Sequence, residues 1–109
     1  MEIKGYTLHG DYYLADKVIL NKNWKEACAM KEIVELPNGE TVIAHTLSKE
    51  ELETIPKEER VNGWYWTGTP YGDIYAWYVS PGGDFSYIYV NHMGGYGGAR
   101  LGFKNPFLD

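Results

Sequence analysis

The chain has 109 residues, which is the usual size of one domain and allows one hydrophobic core. A hydrophobic fraction of 44% and a charged fraction of 23% are typical of a globular protein and exclude an intrinsically disordered one. The formal net charge of −5 argues against direct binding to nucleic acid, since such proteins normally carry a basic stripe. The acidic balance could instead serve solubility or dock on a basic partner.

No segment of the sequence has the pattern of an export signal or a membrane anchor. The first residues lack the apolar run of a signal peptide, and no stretch approaches the roughly 20 apolar residues that span a bilayer. The one cysteine, Cys28, cannot form an internal disulfide, which fits a reducing compartment. We interpret Cys28 as a small core residue and not as a catalytic thiol. The sequence thus predicts a cytoplasmic protein that makes no contact with a membrane.

The N-terminal part of the chain combines short strands with a helix. Loose alternation of apolar residues over 1–20, with a turn at His9–Gly10–Asp11, predicts two or three strands. A capping box then begins a helix over 23–30, because the side chain of Asn23 can accept from the third helical residue, Glu26, which can reach back in return.

The next segment allows two interpretations. The first helix could continue through it, or Pro37–Asn38–Gly39 could form the turn of a hairpin over 32–45, which we favour because apolar residues flank the turn on both sides. A second capping box, Ser48 with Glu51, predicts another short helix over 48–55.

The later part of the chain changes composition and periodicity. Between Gly63 and Phe103 it is rich in Tyr, Trp and Gly, which number ten, four and thirteen in the whole chain, and carries few charges. The period of two predicts strands that pair in antiparallel order. The predicted elements are a strand over 64–67, a loop over 68–73, a strand over 74–79, a turn over 80–84, a strand over 85–90, a glycine-rich loop over 91–98 and a last strand over 99–103.

Alternation also assigns the aromatic side chains to faces of the predicted sheet. Tyr75 and Trp77 share a face of one strand, and Tyr87 and Tyr89 share a face of the next. One small core cannot enclose all seven tyrosines between positions 65 and 96, so some of them must reach solvent. A sheet with exposed Tyr and Trp is typical of a ligand-binding surface or a protein interface.

Four segments resemble motifs of a known family. Asn23–Ala27 (NWKEA) resembles "TWEEA", Leu47–Leu52 (LSKEEL) resembles "LPTREEL", Tyr65–Thr69 (YWTGT) resembles "YWSST", and Ala76–Val79 (AWYV), followed by Gly83 and Ala99–Arg100, resembles "AWYV…G…VRPV". These motifs are those of the Fibrobacter-type paralogous domains and of related uncharacterised bacterial and phage domains. The resemblance covers residues 23–103.

The resemblance implies an α+β, C-type lectin-like fold for residues 1–109, with two short helices packed on a twisted antiparallel sheet. It also implies similarity to formylglycine-generating enzymes and to the variable proteins of diversity-generating retroelements. The chain lacks the C-terminal cysteines of the former and the EPN and WND calcium triplets of true C-type lectins. The scattered positions of His9, His45 and His92 likewise indicate no metal site. We therefore expect no catalytic residue, cofactor or metal.

The sequence predicts a non-enzymatic binding module that recognises a protein or a glycan. Two alternatives stay open: a small phage-encoded inhibitor of a host defence protein, and a self-associating structural subunit that forms a homo-oligomer. Arg100, the lone cation among the late strands, could pack on an aromatic ring, pair with a carboxylate in the core, or grip an anionic ligand. The predicted ligand-binding residues are Tyr71, Asp73, Tyr75, Tyr87, Tyr89, Asn91, His92 and Tyr96.

Overall fold

The computed structural model describes residues 2–61, 63–92 and 97–108, which fold into short strands with two α-helices between them. This confirms the predicted α+β class with two short helices and antiparallel strands. In chain order the elements are β1 (Tyr6–His9), β2 (Tyr12–Ala15), β3 (Ile19–Leu20), α1 (Trp24–Ala29), β4 (Lys31–Glu35), β5 (Thr41–Thr46), α2 (Lys49–Glu53), a 3-10 helix (Lys57–Glu59), β6 (Tyr65–Tyr71), β7 (Tyr75–Val79), β8 (Phe85–Tyr89), β9 (Gly98–Ala99) and β10 (Leu101–Lys104).

Three antiparallel sheets organise these strands. The largest has the order β1-β2-β10-β5-β4, so the last strand of the chain lies in the middle of the sheet that the first strands begin. A second sheet has the order β6-β7-β8, and β3 pairs with β9 as a short ribbon. The three-stranded sheet is formed by consecutive strands, because the chain turns tightly after β6 and again after β7.

Both predicted capping boxes are present. The Asn23 side chain accepts from the Glu26 N–H at 2.8 Å, and the Asn23 N–H donates to the Glu26 carboxylate at 3.1 Å. Ser48 and Glu51 make the same two bonds at 3.1 and 2.9 Å. The first helix ends at Ala29, and β4 pairs with β5. Of the two interpretations of this segment, the hairpin is therefore the correct one.

The prediction of a loop over 68–73 is wrong for most of its length. Strand β6 continues to Tyr71 through a register shift between Trp66 and Pro70, and the connection to β7 is only three residues long. Long-range contacts hold the segment extended, because the Gly68 N–H donates to the Leu47 carbonyl at 2.8 Å. Pro70 is tolerated because β6 is an outer strand of its sheet, where a missing N–H leaves no ladder bond unmade.

The predicted last strand is divided in two. Gly98–Ala99 pairs with β3, whereas Leu101–Lys104 pairs with β2 and β5, and Arg100 lies between them. The division arises because the chain passes from one sheet to another at this residue, which the alternation of side chains does not reveal.

Helix α2 connects the two larger sheets through the core. Leu52 of the helix and Ile55 after it are buried with Leu14 of the five-stranded sheet and Val79 of the three-stranded sheet. The contact covers only the end of the three-stranded sheet at which Val79 and Phe85 face each other. The opposite end of the same face extends beyond the helix.

Candidate binding surface

Five aromatic side chains form a continuous patch on one face of the three-stranded sheet. Tyr75 is the cross-strand partner of both Tyr71 and Tyr89, and Trp77 is the partner of Tyr87. Directly opposed residues in an antiparallel pair project to the same face. We call this patch, which consists of Tyr71, Tyr75, Trp77, Tyr87 and Tyr89, the aromatic surface.

The rings of the aromatic surface pack against one another. Tyr75 stacks on Tyr89 with ring centroids 4.9 Å apart, and Tyr71 lies against Tyr87 at 4.4 Å. Edge-to-face contacts connect these pairs: Tyr75 to Tyr87 at 5.6 Å, Tyr71 to Trp77 at 5.1 Å and Trp77 to Tyr87 at 5.4 Å. Both geometries are the ones that aromatic pairs prefer, so each ring fixes the position of its neighbours.

The packed rings nevertheless remain open to solvent. Tyr71, Tyr87 and Tyr89 are 45%, 46% and 57% exposed, and Tyr75 and Trp77 are half-buried. The expectation that a single core cannot hide every late tyrosine is thus confirmed. An exposed cluster of large rings retains apolar area that a partner could remove from water.

Charged side chains border this surface at the end where α2 packs against Val79 and Phe85. The Lys49 ammonium lies 4.9 Å from the Trp77 ring centroid and 5.0 Å from that of Phe85, within the range of cation–π contacts. Lys57 pairs with Asp84 at 2.9 Å in the turn between β7 and β8. The two lysines at this end belong to α2 and to the 3-10 helix that follows it.

The reverse face of the same sheet is part of the core. Trp66 and Ala76 are buried with Ala27 of α1 and Ala99 of β9. The Trp66 indole donates to the Lys22 carbonyl at 2.8 Å, which satisfies its polar group. The sheet therefore has one structural aromatic face and one open aromatic face.

Four of the eight predicted binding residues come together on the aromatic surface: Tyr71, Tyr75, Tyr87 and Tyr89. Asp73 and Asn91 are exposed. They lie at the same end of the sheet, because their neighbours Ile74 and Val90 are joined there by a hydrogen bond from the Val90 N–H to the Ile74 carbonyl at 2.9 Å. This end carries Tyr75 and Tyr89, so a carboxylate and an amide border the rings there.

The other two predicted residues are not on the aromatic surface as described. His92 is half-buried and lines a narrow cavity with Trp66, Tyr78 and Ile88, which belong to the reverse face. Tyr96 lies outside the described residues. The prediction omitted Trp77, although the alternation had placed it on the same face as Tyr75.

Hydroxyl groups give the aromatic surface a polar component. A hydrogen bond with Tyr89 raises the pKa of Tyr75, and the nearby Tyr89 charge adds to the effect at high pH. The Tyr75 phenol is therefore neutral at physiological pH and can donate or accept hydrogen bonds. The surface consequently combines apolar rings with neutral polar groups.

Arg100 belongs to the interior and not to the binding surface. It is 4% exposed, lies 5.2 Å from the Tyr65 ring centroid, and donates to the Ala15 carbonyl at 2.8 Å. Of the roles considered for it, packing on an aromatic ring is the one observed. Backbone carbonyls satisfy the buried guanidinium.

Two other features concern metal and membrane binding. Within residues 2–61, 63–92 and 97–108, no three His, Cys, Asp or Glu side chains cluster in a way that could hold a metal ion. Neither helix of this part of the chain is long and apolar enough to cross a bilayer.

Burial raises the pKa of the Cys28 thiol, which keeps it protonated and weakly nucleophilic.

Comparison of the chain with protein-family models, with curated proteins and with solved structures gives no match. The function is therefore inferred from the geometry of the aromatic surface.

Proposed function

We propose that this chain is a non-enzymatic binding domain that recognises a partner protein through the aromatic surface. The observation that carries the proposal is the set of five mutually packed rings, three of which are about half exposed. Tyrosine and tryptophan are enriched at interfaces, where they contribute a large share of the binding energy.

The packing of the rings supports a role in binding. Large side chains that are free in solution lose conformational entropy when a partner orders them. On the aromatic surface the ring-to-ring contacts at 4.4–5.6 Å already restrict the side chains before a partner arrives. A partner can thus bury these rings at a smaller entropic cost.

The ring orientations favour a protein over a glycan. Sugar rings bind by stacking on an open aromatic face, but here Tyr75 and Tyr89 turn their faces towards each other at an interplanar angle of 28°. Tyr71 and Tyr87 do the same at 34°. These pairs present ring edges and hydroxyl groups to a partner, and such groups suit the mixed apolar and polar surface of a protein.

We further infer that the fold is C-type lectin-like and that the chain is related to the Fibrobacter-type paralogous domains. The order of the elements supports this inference, since two capped helices precede a three-stranded aromatic sheet and the last strand returns to pair with β2. The four motifs quoted above fall on both helices and on the aromatic strands.

Replacing Tyr71 and Tyr75 by alanine tests the proposed function. These residues are direct cross-strand partners on the aromatic surface. The matched control replaces Ile33 and Ile43 by alanine, because they too are cross-strand partners and are 75% and 57% exposed on the β4–β5 hairpin. Wild type and both variants are immobilised, exposed to lysate of bacterial cells, and compared by quantitative mass spectrometry. Circular dichroism verifies that each variant is folded.

We expect a protein that wild type and the isoleucine variant retain and that the tyrosine variant loses. The purified partner should then bind the tyrosine variant at least tenfold more weakly, the loss expected when interface hot spots are removed. Equal retention by both variants contradicts the proposed site. Binding to a glycan array that the tyrosine variant loses would identify the partner as a glycan.

A further inference from the structure

Strand β8 is an outer strand of the three-stranded sheet. Its hydrogen bonds to β7 show which of its backbone groups point into the sheet and which point outwards. The Val90 N–H donates to Ile74, and the Ser80 N–H donates to Asp84. Hydrogen-bonded positions alternate along an antiparallel pair, so the even-numbered residues of β8 direct their backbone groups to β7. The odd-numbered residues, with Tyr87 at the centre, direct theirs away from the sheet.

This edge lacks the features that usually prevent strands from pairing with other chains. Natural edge strands carry charges, prolines or bulges, or are covered by other elements. Among the described strands, β4 has three charged residues in five, and β6 contains Pro70 and a register shift. Strand β8 reads Phe-Ser-Tyr-Ile-Tyr and has no charge, proline or register shift. Of its outward backbone groups, the Tyr89 carbonyl accepts from the His92 N–H at 2.9 Å, and a carbonyl oxygen can accept a second hydrogen bond.

We propose that a second copy of this chain pairs with β8 in antiparallel orientation, with Tyr87 of each copy at the two-fold axis. The two three-stranded sheets would then join into one sheet of six strands. A contact of this kind is self-complementary, since the same edge serves both copies, and it closes at two subunits. The proposal extends the proposed function without depending on it.

The sequence of β8 fits this self-pairing. With Tyr87 opposite its own copy, Phe85 faces Tyr89 of the second copy, and Asp84 faces Val90 of the second copy. No acidic residue opposes another, and the uncharged strand lets two chains of net charge −5 approach at this edge. Aromatic cross-strand pairs of this kind stabilise sheets.

The pairing would also enlarge the aromatic surface. Directly opposed residues share a face of the sheet, so Tyr87 of both copies would project to the same side. The two aromatic surfaces would merge while their rings stay open, because the contact uses the backbone edge and not the ring face. A partner protein would then meet two adjacent copies of the site.

Sedimentation equilibrium of the full chain gives the first test. We expect the mass to rise with concentration from 12.4 kDa to twice that value and no further. Tyr87→Lys puts two like charges at the axis and should shift the protein to a monomer. The matched variant Tyr71→Lys makes the same change at an equally exposed site on β6 and should leave the dimer intact, because Tyr71 lies two strands from the edge.

Cysteine cross-linking gives a second test that does not require the lysine variants to fold. In a Cys28→Ser background, Tyr87→Cys should form an intermolecular disulfide on mild oxidation. Opposed residues of a hydrogen-bonded antiparallel pair have Cα atoms about 5.5 Å apart, within the range that a disulfide bridges. Tyr71→Cys should not cross-link, because five strand spacings, about 24 Å, would separate the two copies.

Three results would overturn the pairing: a wild-type mass that stays at 12.4 kDa from micromolar to millimolar concentration, growth beyond two subunits, or equal cross-linking of the two cysteine variants. The proposed function has a separate readout. Tyr71→Ala with Tyr75→Ala should weaken partner binding at least tenfold and leave the mass of the dimer unchanged, so the failure of one proposal is distinguishable from that of the other.

Discussion

The five-stranded and three-stranded sheets both contain packed aromatic rings, but they place them in opposite environments. In the five-stranded sheet, Phe103 lies 5.2 Å from Tyr13 and 5.3 Å from Tyr6, and all three side chains are buried. In the three-stranded sheet, Tyr71 lies 4.4 Å from Tyr87, yet both are close to half exposed. Ring-to-ring contact alone therefore does not distinguish a core from a surface.

The difference comes from what covers each face. Ile3 and Leu36, which lie outside the strands, pack with Phe103 and close the core of the five-stranded sheet. Helix α2 packs its apolar side on the three-stranded sheet at the end that carries Tyr65, Val79 and Phe85. The same residue types thus stabilise the fold in one sheet and remain available to a partner in the other, and mutation can separate the two roles.

The largest effect should come from removing a buried ring. Phe103→Ala deletes a side chain that is 4% exposed and contacts Tyr6 and Tyr13. We expect the free energy of unfolding to fall by about 3–5 kcal/mol, because the lost burial is combined with a cavity. Urea denaturation monitored by circular dichroism measures this change. A loss below about 1 kcal/mol would show that the five-stranded sheet does not depend on its aromatic core.

Alkaline pH should destabilise the fold through two buried tyrosines. Burial raises the pKa of Tyr65, and burial together with a hydrogen bond to Glu32 raises that of Tyr6. The native state keeps both protons at a pH where the unfolded chain, with phenol pKa values near 10, releases them. The free energy of unfolding should therefore fall as the pH rises above about 10.

Urea denaturation at about pH 8, 10 and 11 measures this dependence. The double variant Tyr6→Phe with Tyr65→Phe provides the control, since it removes both titrating hydroxyls and keeps the rings. Its stability should be lower than that of wild type at pH 8 and should decline less at higher pH. An equally steep decline in the variant would assign the alkaline effect to other groups.

Local signals made much of the fold predictable. The two capping boxes need only residues three apart, and the hairpin turn needs only Pro37–Asn38–Gly39, so the sequence places these elements correctly. Alternation over a few residues likewise assigned Tyr75 and Tyr89 to the open face. These local patterns predict the structure correctly because each of them depends only on residues that are close in the sequence.

Features that depend on distant contacts were not predictable. Strand β6 passes through Gly68 because the Gly68 N–H bonds to Leu47 and the Thr69 hydroxyl accepts from Lys49, about 20 residues earlier in the chain. The position of Lys49 over Trp77 depends on the docking of α2 in the same way. The sequence alone gave no sign that His92 turns to the reverse face.

The smallest effect on stability should come from Tyr89. This residue is 57% exposed and has one ring contact in the aromatic surface, with Tyr75. Tyr89→Ala should lower the free energy of unfolding by no more than about 1 kcal/mol, the value of a single cross-strand pair. The same urea measurement that detects the Phe103→Ala change provides the comparison. A loss near that of Phe103→Ala would mean that the aromatic surface holds the three-stranded sheet together, and it would remove the distinction between the two sheets from which the binding role is argued.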